Sequence, residues 1–290
     1  MILKQDIKLS IVIVTYNSQK YIFNCLESIN KFNDLGNKLE VIIIDNKSSD
    51  DAVFMNSKIN YDFNTTVLYS GNNLGFGGGN NLGVDLAKGE IVCLLNADTV
   101  LFENIFKECC AKFKNRHIRT LGVKLVDENL KSQISYFFIR GYFSSLNFIV
   151  VYLFNIFEIK LSNMITSGAC MFVRYDDFKT IGGFNSKMFL YHEESFLARK
   201  FSNYFDKNIF YFEKSLKLIH LEKSESPSKM LLSEYYKSMV FYYKYFNFNK
   251  YFILKIFYFK LILRNLFFKS NNPKIDDEYK QIKFHFNKKM

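Results

Sequence analysis

Residues 9–14 (Leu-Ser-Ile-Val-Ile-Val) and 41–44 (Val-Ile-Ile-Ile) are short β-branched runs that each end in polar residues. Runs of this length with apolar side chains on both faces predict buried parallel strands. Between them, Tyr21, Ile22, Cys25, Leu26 and Ile29 recur at helical spacing within residues 18–31, which completes a β-α-β unit. Residues 67–70 predict a further strand, followed by a Gly/Asn-rich loop and a helix over 80–88. Residues 90–95 predict a buried strand that runs into Asn96-Ala97-Asp98. An apolar strand over 171–173, a turn at Gly182-Gly183-Phe184 and a helix within 188–201 follow. The section 120–165 is rich in Phe, Tyr and Ile and is expected to be less regular. Strands alternating with helices imply an α/β fold with an open sheet, whose ligands bind at the carboxyl ends of the strands.

Beyond His220 the pattern changes. Residues 229–269 repeat aromatic and aliphatic side chains with Lys244, Lys250, Lys255, Lys260, Arg264 and Lys269 every four to five positions. Ser224-Glu225-Ser226-Pro227-Ser228 reads as a linker, so the chain divides into a main domain, residues 1–225, and a helical extension, residues 226–290. Three readings of the extension stay open. It forms a buried helical pair with snorkelling lysines, or an interfacial helix with its cations at anionic head groups, or a stacking surface for single-stranded nucleic acid. Nothing else in the chain reads nucleic acid, so no such partner is expected.

Composition narrows this picture. A chain of 290 residues fits one large α/β domain with an appendage. The net charge of +11 suits an anionic partner such as a nucleotide diphosphate or an acidic lipid. Cys25, Cys93, Cys109, Cys110 and Cys170 have no metal-ligand spacing; an odd, scattered set reads as reduced thiols in a cytosolic protein. The apolar run at 9–14 is too short for a signal peptide, and no uncharged stretch reaches the length of a spanning helix. A cytoplasmic protein, peripheral on the inner face of the membrane, is the expectation.

Several residues carry candidate chemistry. Asp98, just past a strand, either caps a turn or projects a carboxylate into the sheet-edge crevice. Asp45 either caps a helix or accepts hydrogen bonds from a nucleoside. The loop 71–81 holds glycines that let backbone approach a ligand, ahead of a helix N-terminus suited to an anion. Its Gly75-Phe76-Gly77 is a fragment of a dinucleotide fingerprint, but a nicotinamide enzyme needs those glycines after the first strand, where this chain has Thr15-Tyr16-Asn17-Ser18. Glu193 and Glu194 either serve the dipole of a helix first turn or supply a base for an attacking hydroxyl.

Taken in order, Ile-Val-Ile-Val-Thr-Tyr-Asn-Ser (11–18), Ile-Asp-Asn-Lys-Ser-Ser-Asp (44–50), Asn-Asn-Leu-Gly-Phe-Gly-Gly-Gly-Asn-Asn-Leu-Gly (72–83), Leu-Leu-Asn-Ala-Asp-Thr (94–99), Ser-Gly-Ala-Cys-Met (167–171), Gly-Gly-Phe-Asn (182–185), Leu-Tyr-His-Glu-Glu (190–194) and Ile-His (219–220) resemble family 2 glycosyltransferases. The resemblance covers about residues 9–221, and its branch is similar to rhamnosyl- and galactofuranosyltransferases of bacterial surface polysaccharides. It implies a nucleotide-diphospho-sugar transferase fold of GT-A type, with a mostly parallel sheet, and inversion at the anomeric carbon. It also implies a divalent metal, Mn2+ or Mg2+. By the same resemblance, Thr15, Asn17 and Asp45 line the nucleoside pocket, and Asn73, Gly75 and Asn80 shape the donor loop. Asn96 and Asp98 stand for the Asp-x-Asp signature, Asp98 and His220 hold the metal, and Glu194 takes the place of the base. Phe196 replaces an acidic residue of the pattern, and Arg199 matches a family arginine expected to fix the helix by a salt bridge.

The implied activity is transfer of a sugar from dTDP-rhamnose or a UDP-sugar to a lipid-linked or growing glycan, with the membrane surface as a further partner. The alternative is a catalytically weak relative that serves as a membrane-bound partner of an active transferase.

Overall fold

A computed structural model of the chain describes residues 7–50, 60–139, 141, 148–159, 161, 164–205, 209–221, 229–268 and 274–287. The linker expected at 224–228 lies outside the described residues. Strand β1 (Leu9–Thr15) lies between parallel neighbours β2 (Leu39–Asp45) and β4 (Ile91–Asn96), and β3 (Asn64–Tyr69) extends the sheet beyond β2. On the other side comes β9 (Cys170–Arg174), antiparallel to both β4 and β6 (Ile118–Val126); β10 (Ile209–His220) pairs with β6 in parallel, and the short β5 (Thr99–Val100) pairs with β10 antiparallel. The order is β3-β2-β1-β4-β9-β6-β10-β5, a mostly parallel sheet.

The apolar runs of the sequence are explained by covers on both faces. Leu9, Ile11 and Ile13 of β1 join a core with Ile22, Leu26 and Ile29 of α1 (Gln19–Lys31). Val12 faces the other way, into a core with Val84 of α2 (Gly75–Leu86). At roughly 1.5–3 kcal/mol for each fully buried aliphatic side chain, no one-residue slip of β1 could keep both cores. Helix α3 (Phe106–Lys112) closes the first core, while α5 (Tyr175–Thr180) and α6 (Glu193–Tyr204) lie with the second.

Helix α2 starts at Gly75 rather than at residue 80. Each interior glycine costs a helix about 1 kcal/mol relative to alanine. Close packing offsets this: a Cβ on Gly83 would lie 2.3 Å from Val12 Cγ1, so only glycine lets α2 rest directly on the sheet. The section expected to be irregular in fact contributes strand β6 to the sheet. It also forms a two-stranded ribbon, β7 (Tyr136–Phe138) with β8 (Met164–Thr166), and helix α4 (Phe148–Ile156).

The extension forms α7 (Lys229–Tyr245), α8 (Lys250–Phe268) and α9 (Lys274–Asn287). Tyr236, Met239 and Tyr242 of α7, Ile253 and Phe257 of α8, and Ile282 of α9 share one core with Met188 and Phe196 of the main domain. Among the described residues, no helix is long and apolar enough to cross a membrane. All five cysteines are buried and unbridged, and burial pushes the Cys25 thiol up to about 12.

Candidate active site

The parallel strands end together, and their loops fasten to one another. Thr15 and Asp45 are register partners at the ends of β1 and β2, both buried. Asn17 adopts a left-handed φ of 52°, and its Oδ1 accepts the Ser49 N–H at 2.8 Å. Asp45 Oδ1 accepts the Ser48 N–H at 2.8 Å, and Asp50 accepts the Gln19 N–H at 2.9 Å, capping α1 from another loop. The Thr15 hydroxyl is buried without a hydrogen-bond partner among the protein atoms. That orphan polar group at a loop junction suits a site that receives a polar ligand.

The glycine loop is held from two sides. Asn73 Oδ1 accepts the Gly75 N–H at 3.0 Å, and the buried Asn46 amide donates to the Gly75 carbonyl at 2.9 Å. Gly75 has φ 71°, and a Cβ there would fall 2.0 Å from the Phe189 carbonyl oxygen, so the position requires glycine. Phe76 donates its N–H to that same carbonyl at 3.0 Å, which ties the loop to the segment before Glu193. Asn80 turns inward and donates to the Phe76 carbonyl at 2.9 Å. Asn81, unassigned by sequence, clasps Phe184 through both its amide atoms, at 2.9 and 3.0 Å.

Asp98 and His220 come together although 122 positions separate them. His220 pairs with Thr99 across β10 and β5, which sets its imidazole beside the Asp98 carboxylate at 3.5 Å. Gln133, a residue no motif contains, orients the ring. Its amide nitrogen donates to the His220 carbonyl at 3.0 Å, so its Oε1 faces His220 Nδ1 at 3.2 Å. That arrangement places a proton on Nδ1 and makes Nε2 the ring atom that faces Asp98. A carboxylate oxygen and an imidazole lone pair side by side form a donor set suited to a divalent cation. Among the described residues no group of three or more His, Cys, Asp or Glu could hold a metal, so remaining ligands would come from substrate phosphate and water.

Tyr191 and His192 both adopt left-handed φ, 70° and 73°, and the chain then enters α6 at Glu193. Consecutive positive φ at non-glycine residues stores strain that packing must hold. Here the buried His192 ring stacks edge-on against Tyr235 of α7, with centroids 4.5 Å apart. Glu193 is buried, and burial followed by the charge of Glu194 raises its carboxyl well above the usual range. Glu194 reaches the other way, and its Oε1 accepts the Gly168 N–H at 3.1 Å. The adjacent Ala169 carbonyl accepts the Asn96 N–H at 3.0 Å. One turn, 167–169, therefore touches both Glu194 and the end of β4.

The sequence-assigned residues Thr15, Asn17, Asp45, Asn73, Gly75, Asn96, Asp98, Glu194 and His220 thus collect along one edge of the sheet. A cavity of about 450 Å3 opens at the opposite edge, among Lys8, Glu90, Lys107, Lys114, Arg116 and Arg174, and contains none of them. Gln133 was missed by sequence, and Gly168 stood there within the Ser-Gly-Ala-Cys-Met motif without a role of its own. No spacing signal marks Gln133, whose role exists only through the fold.

A mostly parallel sheet with an acidic strand end and a glycine loop at its carboxyl edge is the fold of the nucleotide-sugar transferases. The fold is shared with TarS of Staphylococcus aureus solved with UDP-GlcNAc: TM-score 0.63 at 19% identity, over 96% of this chain and 79% of that one. It is also shared with the mannosyltransferase PcManGT of Pyrobaculum calidifontis, solved with GDP-Man and Mn2+: TM-score 0.61 at 15% identity, over 93% and 77%. Residues 10–182 match the model of glycosyl transferase family 2, and the chain belongs to that family. In sequence it is 28% identical to the poly(ribitol-phosphate) β-N-acetylglucosaminyltransferase TarS over 123 residues, 42% of this chain and 22% of TarS. It is 34% identical to the amylovoran biosynthesis glycosyltransferase AmsB of Erwinia amylovora over 97 residues, 32% of each chain. The matches span about a fifth to a third of these relatives. One relative is named for poly(ribitol-phosphate) and the other for amylovoran; neither name points to rhamnose or galactofuranose.

Proposed function

We propose that this protein transfers a sugar, with inversion, from a nucleotide-diphospho-sugar to a hydroxyl of a lipid-linked or growing surface glycan on the cytoplasmic face of the membrane. The observation that carries the reading is the Asp98–His220 pair, held 3.5 Å apart with Nε2 of the imidazole turned toward the carboxylate. Asp98 and His220 would hold a divalent ion, which would supply positive charge against the diphosphate of the leaving group. Thr15, Asn17 and Asp45 receive the nucleoside, and Asn73, Gly75, Asn80 and Asn96 shape the donor pocket. Glu194, fixed by the Gly168 N–H, takes the acceptor hydroxyl proton as that oxygen bonds to the anomeric carbon. The bond from that carbon to the diphosphate breaks, and its electron pair leaves with the nucleoside diphosphate. Residues 1–225 act as the catalytic domain and 226–290 as its extension.

The donor is a UDP-sugar or dTDP-rhamnose; TarS was solved with UDP-GlcNAc, which favours testing UDP-sugars first. The inactive-partner reading drew on Phe196 in place of an acid. Phe196 lies buried in the aromatic core under α7, so its change is a matter of packing, while Glu194 keeps its polar contact. Thermal shift against UDP-, dTDP- and GDP-sugars, with and without Mn2+, is the test. The expected outcome is a donor whose shift requires metal and disappears in Asp98→Ala. Glu194→Gln is expected to keep that shift and lose ~100-fold or more in transfer. An active Glu194→Gln enzyme removes the base assignment, and a metal-independent shift removes the Asp98–His220 assignment.

A further inference from the structure

Helix α8 is apolar on the face it shows to solvent as well as on the face it buries. Ile253, Leu254, Ile256 and Phe257 pack inward. Tyr251, Phe252, Tyr258, Phe259 and Ile262 are exposed, from 37% at Ile262 to 73% at Tyr251, and the exposed Lys255 lies in the middle of them. Positions 251, 252, 255, 258, 259 and 262 follow helical spacing, so they form one stripe roughly 17 Å long at 1.5 Å per residue. A soluble helix turns polar residues outward, and an outward stripe of this size marks an interaction surface.

The charge around the stripe selects the occupant. Residues 229–290 carry 13 Lys and Arg against 4 Asp and Glu, a surplus of nine out of the chain's net +11. Between residues 235 and 275 there are eight Lys or Arg and no carboxylate. Lys244 is held below the usual lysine range by burial and then by the charge of Lys250. A second copy of the chain is a poor partner, because a two-fold contact on this stripe would set these cations against themselves. Aromatic side chains around a lysine, in a segment with a surplus of cations, complement a membrane interface of anionic head groups over acyl chains.

We propose that the outward face of α8 docks on an anionic lipid bilayer, lying in the interface without crossing it. This deepens the lipid-linked acceptor of the proposed function by naming how the protein reaches it. The assay needs neither donor nor acceptor, so its failure is distinguishable from failure of the transferase reading. Co-sedimentation of the full chain with equimolar phosphatidylcholine–phosphatidylglycerol vesicles is compared with pure phosphatidylcholine vesicles. Binding is expected to the anionic vesicles, with a marked loss at ~0.5 M salt. Phe252→Ser/Phe259→Ser is expected to weaken it by ~tenfold or more, with the melting temperature and donor-induced shift retained. Lys255→Glu, which leaves the aromatic stripe intact, is expected to weaken it by ~tenfold through charge alone. Equal binding by wild type and both variants, or no binding to anionic vesicles, overturns the proposal. So does a wild-type dimer, seen by sedimentation equilibrium, that Phe252→Ser/Phe259→Ser converts to monomer.

Discussion

At the start of α6 two carboxyl groups stand one residue apart, and burial separates their behaviour. Glu193 points into the protein beside Gly77, and its Oε1 is buried without a hydrogen-bond partner. Its raised pKa means that the folded chain keeps a proton that the unfolded chain releases near its ordinary value of 4.5. Stability therefore falls as pH rises through that value toward the folded pKa, and the penalty persists above it. Kept neutral, Glu193 spares Glu194 a like charge next to it. Glu193→Gln is expected to be at least as stable as wild type at neutral pH, with the advantage growing as pH rises from ~5 to ~8. Melting temperatures of both proteins across that range test this, and parallel curves would refute it.

Helix α4 is built inside out. Its polar residue, Asn155, is buried, while Tyr152, Leu153, Ile156 and the following Phe157 are exposed. The Asn155 amide is saturated: Oδ1 accepts from Ser135 N at 2.7 Å and Tyr136 N at 3.3 Å, and Nδ2 donates to the Tyr136 and Val151 carbonyls at 3.1 and 2.8 Å. It thereby satisfies backbone groups at the start of β7. Asn155→Leu is more hydrophobic yet is expected to destabilise by ~1–3 kcal/mol, because those groups lose their partner in a dry setting. Phe157→Ser on the outer face is expected to change stability by less than ~0.5 kcal/mol. Urea unfolding of the two variants checks the contrast; a stabilising Asn155→Leu would contradict it.

The extension and the sheet domain form one packed body through the back of α6. Phe196 is fully buried and meets the rings of Phe241, Tyr245 and Phe246. Arg199, expected to fix the helix through a salt bridge, donates from Nε to the Tyr242 hydroxyl at 2.7 Å and lies over the Phe248 ring at 5.0 Å. Together with the His192–Tyr235 contact, these interactions brace the helix that presents Glu194. Phe196→Ala is expected to cost ~3–5 kcal/mol. It should also speed limited proteolysis within 229–268, a readout of α7 and α8 loosening. A loss under ~1 kcal/mol with unchanged proteolysis would mean that the extension does not depend on this anchor.

The amino-acid sequence by itself determined the strands of the parallel half and the positions of the chemical groups. β1, β2, β4 and β9 were legible because a strand covered on both faces must be apolar throughout, and loop residues at their carboxyl ends stood out as polar. β10 was not legible. It carries Glu213, Lys214 and Lys217, and its register with β6 shifts between Glu213 and Lys217, which breaks any period of two. Its charge is stabilised from outside the strand: Lys112 of α3 pairs with Glu213 at 2.7 Å and draws that carboxyl down to about 2 against the effect of burial. The start of α2 was hidden because glycine disfavours helix, and only contact with Val12 and Val14 reverses that preference. Tertiary structure alone brought Gln133 to His220 and His220 to Asp98, and gave α8 one buried and one exposed apolar face. Local sequence specifies what each residue prefers, whereas partners distant along the chain become neighbours only when the sheet is assembled.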